Sequence, residues 1–288
     1  MRNLFATNLT DEDNPTMPID AFVRDKVSEC HAECLENSGE ETEKAVEKAV
    51  KGPLILRILL VVFAVIAAIG LKVFSSITEE DGVPSVIEWG ALAVGVVSFV
   101  IAILLAVIQH RRAKKVMESD EVTQLTQNLE QLSNNSKQML GVPAGAAELD
   151  VLGYGYEIKR GKEKRLLKEL GEYVTNCLSA FVENDELMLA NDFEKYALPL
   201  LAIRGVRVTR KKTKVFCWTK DEKPKSATYK PYKIGYDEEN DIFTVRAIYS
   251  LDIAYNGEKY ELVVPDYDWE LVLQPLLAAH VALQPVET

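Results

Sequence analysis

The chemistry of this 288-residue chain gathers in one basic tract. Residues 204–233 hold eleven bases against two acids, including Arg204, Arg207, Arg210, Lys211, Lys212, Lys214 and Lys220, whereas residues 237–288 hold two bases against eleven acids. Cations sharing one face can hold anionic lipid headgroups, at about 1 kcal/mol for each Lys or Arg near a charged leaflet, or can meet an acidic protein surface. The opposing arrangement pairs basic strands with acidic ones, so that the field cancels within the sheet. Phe216, Trp218, Tyr229 and Tyr232 lie in the same tract and offer faces on which bases of a nucleic acid stack. A net charge of −11 and a pI near 5.0 argue against a nucleic-acid partner. The seven named bases are therefore the candidate site for anionic lipid or a protein partner. A second basic run, Lys159 to Lys168, holds six bases and Glu163 and reads as an exposed helix end.

Other chemistry is sparse. His31, His110 and His280 match no metal or triad spacing. Cys30 and Cys34 flank His31 at helical i, i+4 spacing, which suits a metal or redox pair, but two thiols facing a neighbouring helix is the simpler reading. Four cysteines, with Cys177 and Cys217, are too few for a disulfide framework and fit a reducing compartment. Gly153-Tyr154-Gly155 lacks the third glycine and the strand of a dinucleotide loop, and no P-loop, nucleophile elbow or HExxH is present. Asp266 reads as a helix cap rather than half of an acid pair with Asp268. The expectation is no enzyme, no cofactor and no metal.

The strongest positional signal is hydropathy. Pro53 to Phe74 and Gly90 to Ile108 are long apolar stretches without a polar stripe; as helices they reach about 33 Å and 28 Å, enough to cross a bilayer. Arg57 and Lys72 near the ends of the first can snorkel. The connector Ser75 to Trp89 holds Glu79, Glu80, Asp81 and Glu88 around a Gly82 and Pro84 turn, so the helices form an antiparallel hairpin. Ala64, Ala68, Ala91 and Gly95 supply small side chains at four-residue spacing for close approach. Lys44, Lys48 and Lys51 precede the first span and Arg111, Arg112, Lys114 and Lys115 follow the second, which places both termini in the cytoplasm. The first 50 residues lack a signal-peptide core, so the first span is expected to serve as the insertion signal.

Outside the spans, Ile19 to Leu35 shows a helical apolar stripe and Ser38 with Glu41 a capping box, within an arm of twelve acids and five bases. Val122, Leu125, Leu129, Leu132 and Met139 predict a helical stalk that ends at Gly141-Val142-Pro143-Ala144-Gly145. Strand patterns follow: Glu172 to Phe181 and Glu186 to Leu189 around Asn184-Asp185, then Lys195 to Leu200, Val206 to Arg210 and Lys214 to Thr219. Phe243 to Tyr255 alternates as one long strand, Asn256-Gly257 is a hairpin turn, and Tyr260, Leu262 and Val264 lie on the return. Asp266 opens a helix with Trp269, Val272, Leu273 and Leu276 on one face and a break at Pro275.

Asp185 to Leu189, Leu198-Pro199-Leu200 with Ile203 and Val206, the Asn256-Gly257 hairpin and the terminal helix together resemble bacterial pleckstrin-homology-like (PH-like) domains that sit beside paired membrane helices. The resemblance covers about residues 170–280 and implies a bent antiparallel sheet or barrel with the Trp269 face plugging one end. The first hairpin turn, where lipid-binding relatives gather phosphate ligands, is acidic here, which counts against specific inositol-phosphate recognition. The fold class expected is an α+β membrane protein: an acidic arm over 1–50, a two-helix transmembrane hairpin over 51–110, a helical stalk and linker over 111–145, and a PH-like antiparallel β-sheet or barrel capped by an α-helix over 146–288. Its expected place is a membrane, as in the bacterial inner (plasma) membrane. Its expected role is non-enzymatic presentation of a cytoplasmic module to protein or inner-leaflet lipid; the alternative is an accessory or assembly subunit acting through the hairpin.

Overall fold

A computed structural model describes residues 1–10, 16–51, 53–81, 86–117, 119–165, 172–216, 223–237, 242–281 and 283–287. It divides into a helical unit, 30–133, and a β-rich unit made of 1–29 with 134–288.

The helical unit is built from α1 (Glu29–Lys51), α2 (Leu54–Asp81), α3 (Val86–Met117) and the first part of α4 (Asp120–Met139). Within α2 and α3, Ile55–Ser75 and Trp89–Val116 are long and apolar enough to cross a membrane, and their side chains lie almost wholly exposed. The two helices run antiparallel, as the approach of Gly70 to Gly95 and the 6.0 Å separation of the Phe74 and Trp89 rings show. The seam differs from expectation. Ala64 and Ala68 face outward, whereas Ala67, Gly70, Gly95 and Ser98 are buried. A Cβ on Gly70 would lie 2.8 Å from the Ala91 carbonyl and from Gly95 Cα, so only glycine admits this approach. The Gly82 and Pro84 turn lies outside the described residues.

The amino-terminal reading needs correction. Ile19 to Leu35 is not one helix: Pro18–Phe22 is a 3-10 turn, Val23–Lys26 a strand, and α1 begins only at Glu29. Ile19 and Phe22 enter the β-rich core, which outweighs helical periodicity, and Ser38 lies inside α1, where its carbonyl accepts the Thr42 hydroxyl at 2.7 Å. On α4, Val122 and Ser136 are buried and Leu125, Leu129 and Leu132 half-buried, whereas Met139 is exposed; Leu140, just past the helix, is buried. Gly141, at φ +68°, ends the helix as expected, with Val142 N–H donating to Lys137 O and Gly141 N–H to Gln138 O.

The β-rich unit holds β1 (Arg2–Asn3), β2 (Thr7–Asn8), β3 (Val23–Lys26), β4 (Ala147–Gly153), β5 (Gly155–Lys159), β6 (Lys162–Arg165), β7 (Tyr173–Glu183), β8 (Glu186–Ala190), β9 (Glu194–Pro199), β10 (Ile203–Thr209), β11 (Thr213–Phe216), β12 (Gly235–Asp237), β13 (Ile242–Val245), β14 (Ile248–Tyr255), β15 (Glu258–Pro265) and β16 (Pro285–Glu287). One sheet runs β1-β15-β14-β10-β16; a second runs β12-β13-β11-β7-β8-β9-β3 with β4 also on β7; a third is β2-β5-β6. None closes into a barrel, and the β1–β15, β2–β5, β7–β11 and β10–β16 pairs are parallel, so the sheet is not purely antiparallel as expected.

Two hairpins follow the sequence closely. Asn184 and Asp185 (φ 51° and 60°) join β7 to β8, and Asn256 and Gly257 (φ 50° and 81°) join β14 to β15. The long strand from Phe243 to Tyr255 is instead two, β13 and β14, in different sheets, because the chain leaves one sheet at Arg246 and Ala247 and enters the other. The terminal helix exists as a short α-turn, Asp266–Asp268, a wide turn, Trp269–Leu273, and a second α-segment, Gln274–Ala278. Pro275 has no N–H to give, and the Gln274 N–H reaches back five residues to Trp269 O. Trp269, Leu273 and Leu277 are buried in a core shared with Leu149, Val151, Leu187, Leu198, Leu251 and Leu262. At about 1.5–3 kcal/mol for each such side chain, this core ties the sheets together.

The described part of residues 1–29 packs on that core. Leu4, Phe5, Ile19 and Phe22 are buried in it, β1 lies beside β15, and β3 lies beside β9.

Candidate functional site

Among the described residues, the cations of the basic tract differ in their surroundings. On β10, outward residues alternate with buried Val206 and Val208, which exposes Arg204 and half-exposes Arg207. Arg207 is clamped by carboxylates from two neighbouring strands: Nε donates to Asp252 at 2.9 Å and a terminal nitrogen donates to Glu261 at 2.9 Å. Those hydrogen bonds hold its guanidinium above the usual arginine range. Arg210 faces Glu287 at 3.6 Å and Lys211 faces Glu172 at 3.4 Å. Arg204, Lys212 and Lys214 are exposed, with no ion pair among the described residues, and Lys220 lies outside those residues. Of the seven candidate cations, three thus face acids and three do not. The acidic turn at Asn184-Asp185 is likewise met from the amino-terminal segment by Arg24, which pairs with Glu186.

A tighter constellation lies at Asp150, in the middle of β4. Lys223 Nζ donates to Asp150 Oδ2 at 2.7 Å, Tyr267 Oη donates to the same oxygen at 2.9 Å, and the Asp150 N–H donates to Asp268 Oδ2 at 2.6 Å. Lys223 also lies 3.8 Å from Asp268 Oδ2 and 5.6 Å from the Tyr267 ring centre. Exposures of 4% for Asp150, 9% for Lys223, 1% for Tyr267 and 0% for Asp268 leave no face open to a substrate. The cluster therefore acts as a buried electrostatic clamp that fixes the 223–234 segment, with Tyr229 and Tyr232 edge-on to Tyr267 at 5.6 and 6.4 Å. The faces expected to stack on nucleic-acid bases are engaged internally at these two residues, and Trp218 lies outside the described residues.

Other expectations resolve locally. Lys159 to Lys168 is a hairpin over its described part, not a helix end: Arg160 and Gly161 (φ 54° and 71°) turn β5 into β6. Arg165 lies 4.3 Å from the ring centres of both Tyr154 and Tyr173 and donates to Glu172 O at 2.6 Å. Gly153 is a packing slot: a Cβ there would collide with the Phe5 carbonyl of the amino-terminal segment. Asp266 stands one residue inside the helix, its Oδ1 accepting the Tyr267 N–H at 3.1 Å, and burial pushes its carboxyl up to about 6. Cys30 and Cys34 are exposed on α1, His31 lies 3.3 Å from the Leu132 carbonyl, and no group of three metal-ligating side chains occurs among the described residues. Cys177, exposed on β7 opposite Asp150, has its thiol pushed up to about 11, by partial desolvation first and then by the charge of Asp150.

Comparison with family models, curated proteins and solved structures finds no match to this chain.

Proposed function

We propose that this chain is a non-enzymatic integral membrane protein of the bacterial inner membrane, in which α2 and α3 form a two-span hairpin with both chain ends in the cytoplasm and the β-rich unit is a PH-like module that binds a protein partner. The observation that carries the reading is the outward face of the hairpin: Ile55, Val61, Val97 and Leu104 are exposed by 72, 58, 58 and 56%, on helices that present no polar stripe. Water does not tolerate such a surface, whereas acyl chains do. Basic flanks on the same side of both spans support the orientation.

Support for the PH-like reading comes from the β7–β8 and β14–β15 hairpins and from the terminal helix whose Trp269 face is buried; the parallel additions at the sheet edges depart from it. A protein partner is favoured over a lipid surface for this unit because Arg207, Arg210 and Lys211 are already engaged by acids. Leu201, 86% exposed beside the β7–β8 turn, gives such a partner an apolar anchor.

The test is a topology map of the full chain. In a background with the other cysteines removed, Cys30 is expected to be protected from an impermeant maleimide in intact spheroplasts, and a cysteine placed at Glu79 is expected to react. Release of the intact chain by alkaline carbonate, or reaction of Cys30 from outside, would refute the membrane reading. A photo-crosslinker at Leu201 is expected to capture the partner; capture only from hairpin positions such as Val97 would move recognition to the spans.

A further inference from the structure

α1, α3 and α4 of the helical unit border a cleft of about 290 Å³ beside the ends of the two apolar spans. Ala45, Pro53, Val116 and Val122 form its apolar wall, and Lys48, Arg112 and Glu121 supply its charge. Pro53 immediately precedes α2, and Arg112 lies in the last turns of α3. Both cations are exposed and, among the described residues, neither is held by a carboxylate. That separates them from Lys44, which is paired with Glu40 at 2.7 Å one turn earlier on α1, and from the clamped Arg207.

We infer that this cleft binds the headgroup of an anionic phospholipid from the leaflet in which the spans end, with Lys48 and Arg112 meeting its phosphate. The inference rests on the membrane reading above. Two cations and one acid leave a formal charge of +1, which matches the single charge of a phosphodiester. The planar guanidinium of Arg112 can donate two parallel N–H bonds to phosphate oxygens, and Lys48 adds a point charge. A freely soluble phosphate would satisfy the cations but leave the apolar wall against water. A phospholipid covers that wall with its glycerol backbone and upper acyl chain while its tails continue along the exposed apolar surface of the spans. Basic pockets between membrane helices at this depth are a recurrent way of holding acidic headgroups.

The experiment uses the full chain in nanodiscs of phosphatidylcholine with increasing phosphatidylglycerol, and counts retained lipids by native mass spectrometry after release. Lys48→Ala and Arg112→Ala are each expected to weaken phosphatidylglycerol retention about five-fold, and the double variant about 25-fold. Glu121→Gln is expected to strengthen retention several-fold, a gain that misfolding cannot produce. Lys259→Ala, at an exposed position of β15, is expected to change nothing. Unchanged retention in the double variant, equal retention of phosphatidylcholine, or complete displacement by millimolar inorganic phosphate would each overturn the proposal, the last by assigning the cleft to a soluble anion. A wild-type chain that fails to enter nanodiscs refutes the membrane reading, whereas one that enters and shows no phosphatidylglycerol preference refutes this inference alone.

Discussion

Replacing Lys223 with Met removes the one cation that the described residues place in the clamp around Asp150 and leaves the Asp150 and Asp268 carboxylates inside the β-rich unit. At an effective dielectric constant of about 20, an ammonium 2.7 Å from Asp150 and 3.8 Å from Asp268 gains roughly 6 and 4 kcal/mol of attraction. Withdrawing that ammonium from water costs several kcal/mol, a cost that the substitution returns. Tyr267 Oη and the Asp150 N–H still donate to the carboxylates, so the residual penalty falls near 3 kcal/mol, at the lower end for a broken buried pair. The assay is urea unfolding of the full chain in detergent, followed by Trp269 fluorescence in a Trp89→Phe, Trp218→Phe background, because Trp269 is buried and stacked on Tyr249 at 5.1 Å. The further change Asp150→Asn should recover at least 1 kcal/mol by removing one of the two unmatched charges. A Lys223→Met protein within 0.5 kcal/mol (about the scatter of a surface substitution) of the parent would refute the reasoning. An added Asp150→Asn that only deepens the loss would refute it as well.

Gly70→Leu is expected to separate α2 from α3 and lower the thermal midpoint in detergent by a few degrees or more, while Ala64→Leu on the outward face leaves it unchanged; equal effects would contradict the seam. Asp266 has a folded-state pKa of about 6 against an ordinary value of 3.8, so the native state holds a proton that the unfolded chain releases between those pH values. Stability from this group therefore falls as pH rises from about 4 to about 6, and Asp266→Asn is expected to be more stable than the parent at pH 7, by at most about 3 kcal/mol, with the gain vanishing at pH 4. Chemical denaturation at both pH values checks the sign. Cys177, with its thiol near 11, is expected to react with maleimide at pH 7.5 at least ten-fold more slowly than Cys30 or Cys34, as read by peptide mass spectrometry.

The parts of the fold legible in the sequence are those whose signal is local. Apolar stretches, Asn-Gly and Asn-Asp turns and the Gly141 stop each follow from a few neighbouring residues. β4 escaped because Leu149, Asp150, Val151 and Leu152 are all buried, which erases alternation. A lone Asp in that apolar run was the available sign of the clamp, since a buried charge needs a partner; the identity of that partner, Lys223, depends on a contact 73 positions away. The amino-terminal strands were equally hidden, being two to four residues long and paired with β15, β5 and β9, all far along the chain. Among the bases, residue type could not separate Arg207, which is clamped, from Arg204, which is not, because the difference lies in what β14 and β15 place opposite.

The pairing of Arg2 with Tyr260 sets an order of events during synthesis. β1 has no template until β15 has been made, and at about 5–20 residues per second that interval is tens of seconds. Over that time both apolar segments emerge, so under the proposed membrane reading anchoring precedes completion of the β-rich unit.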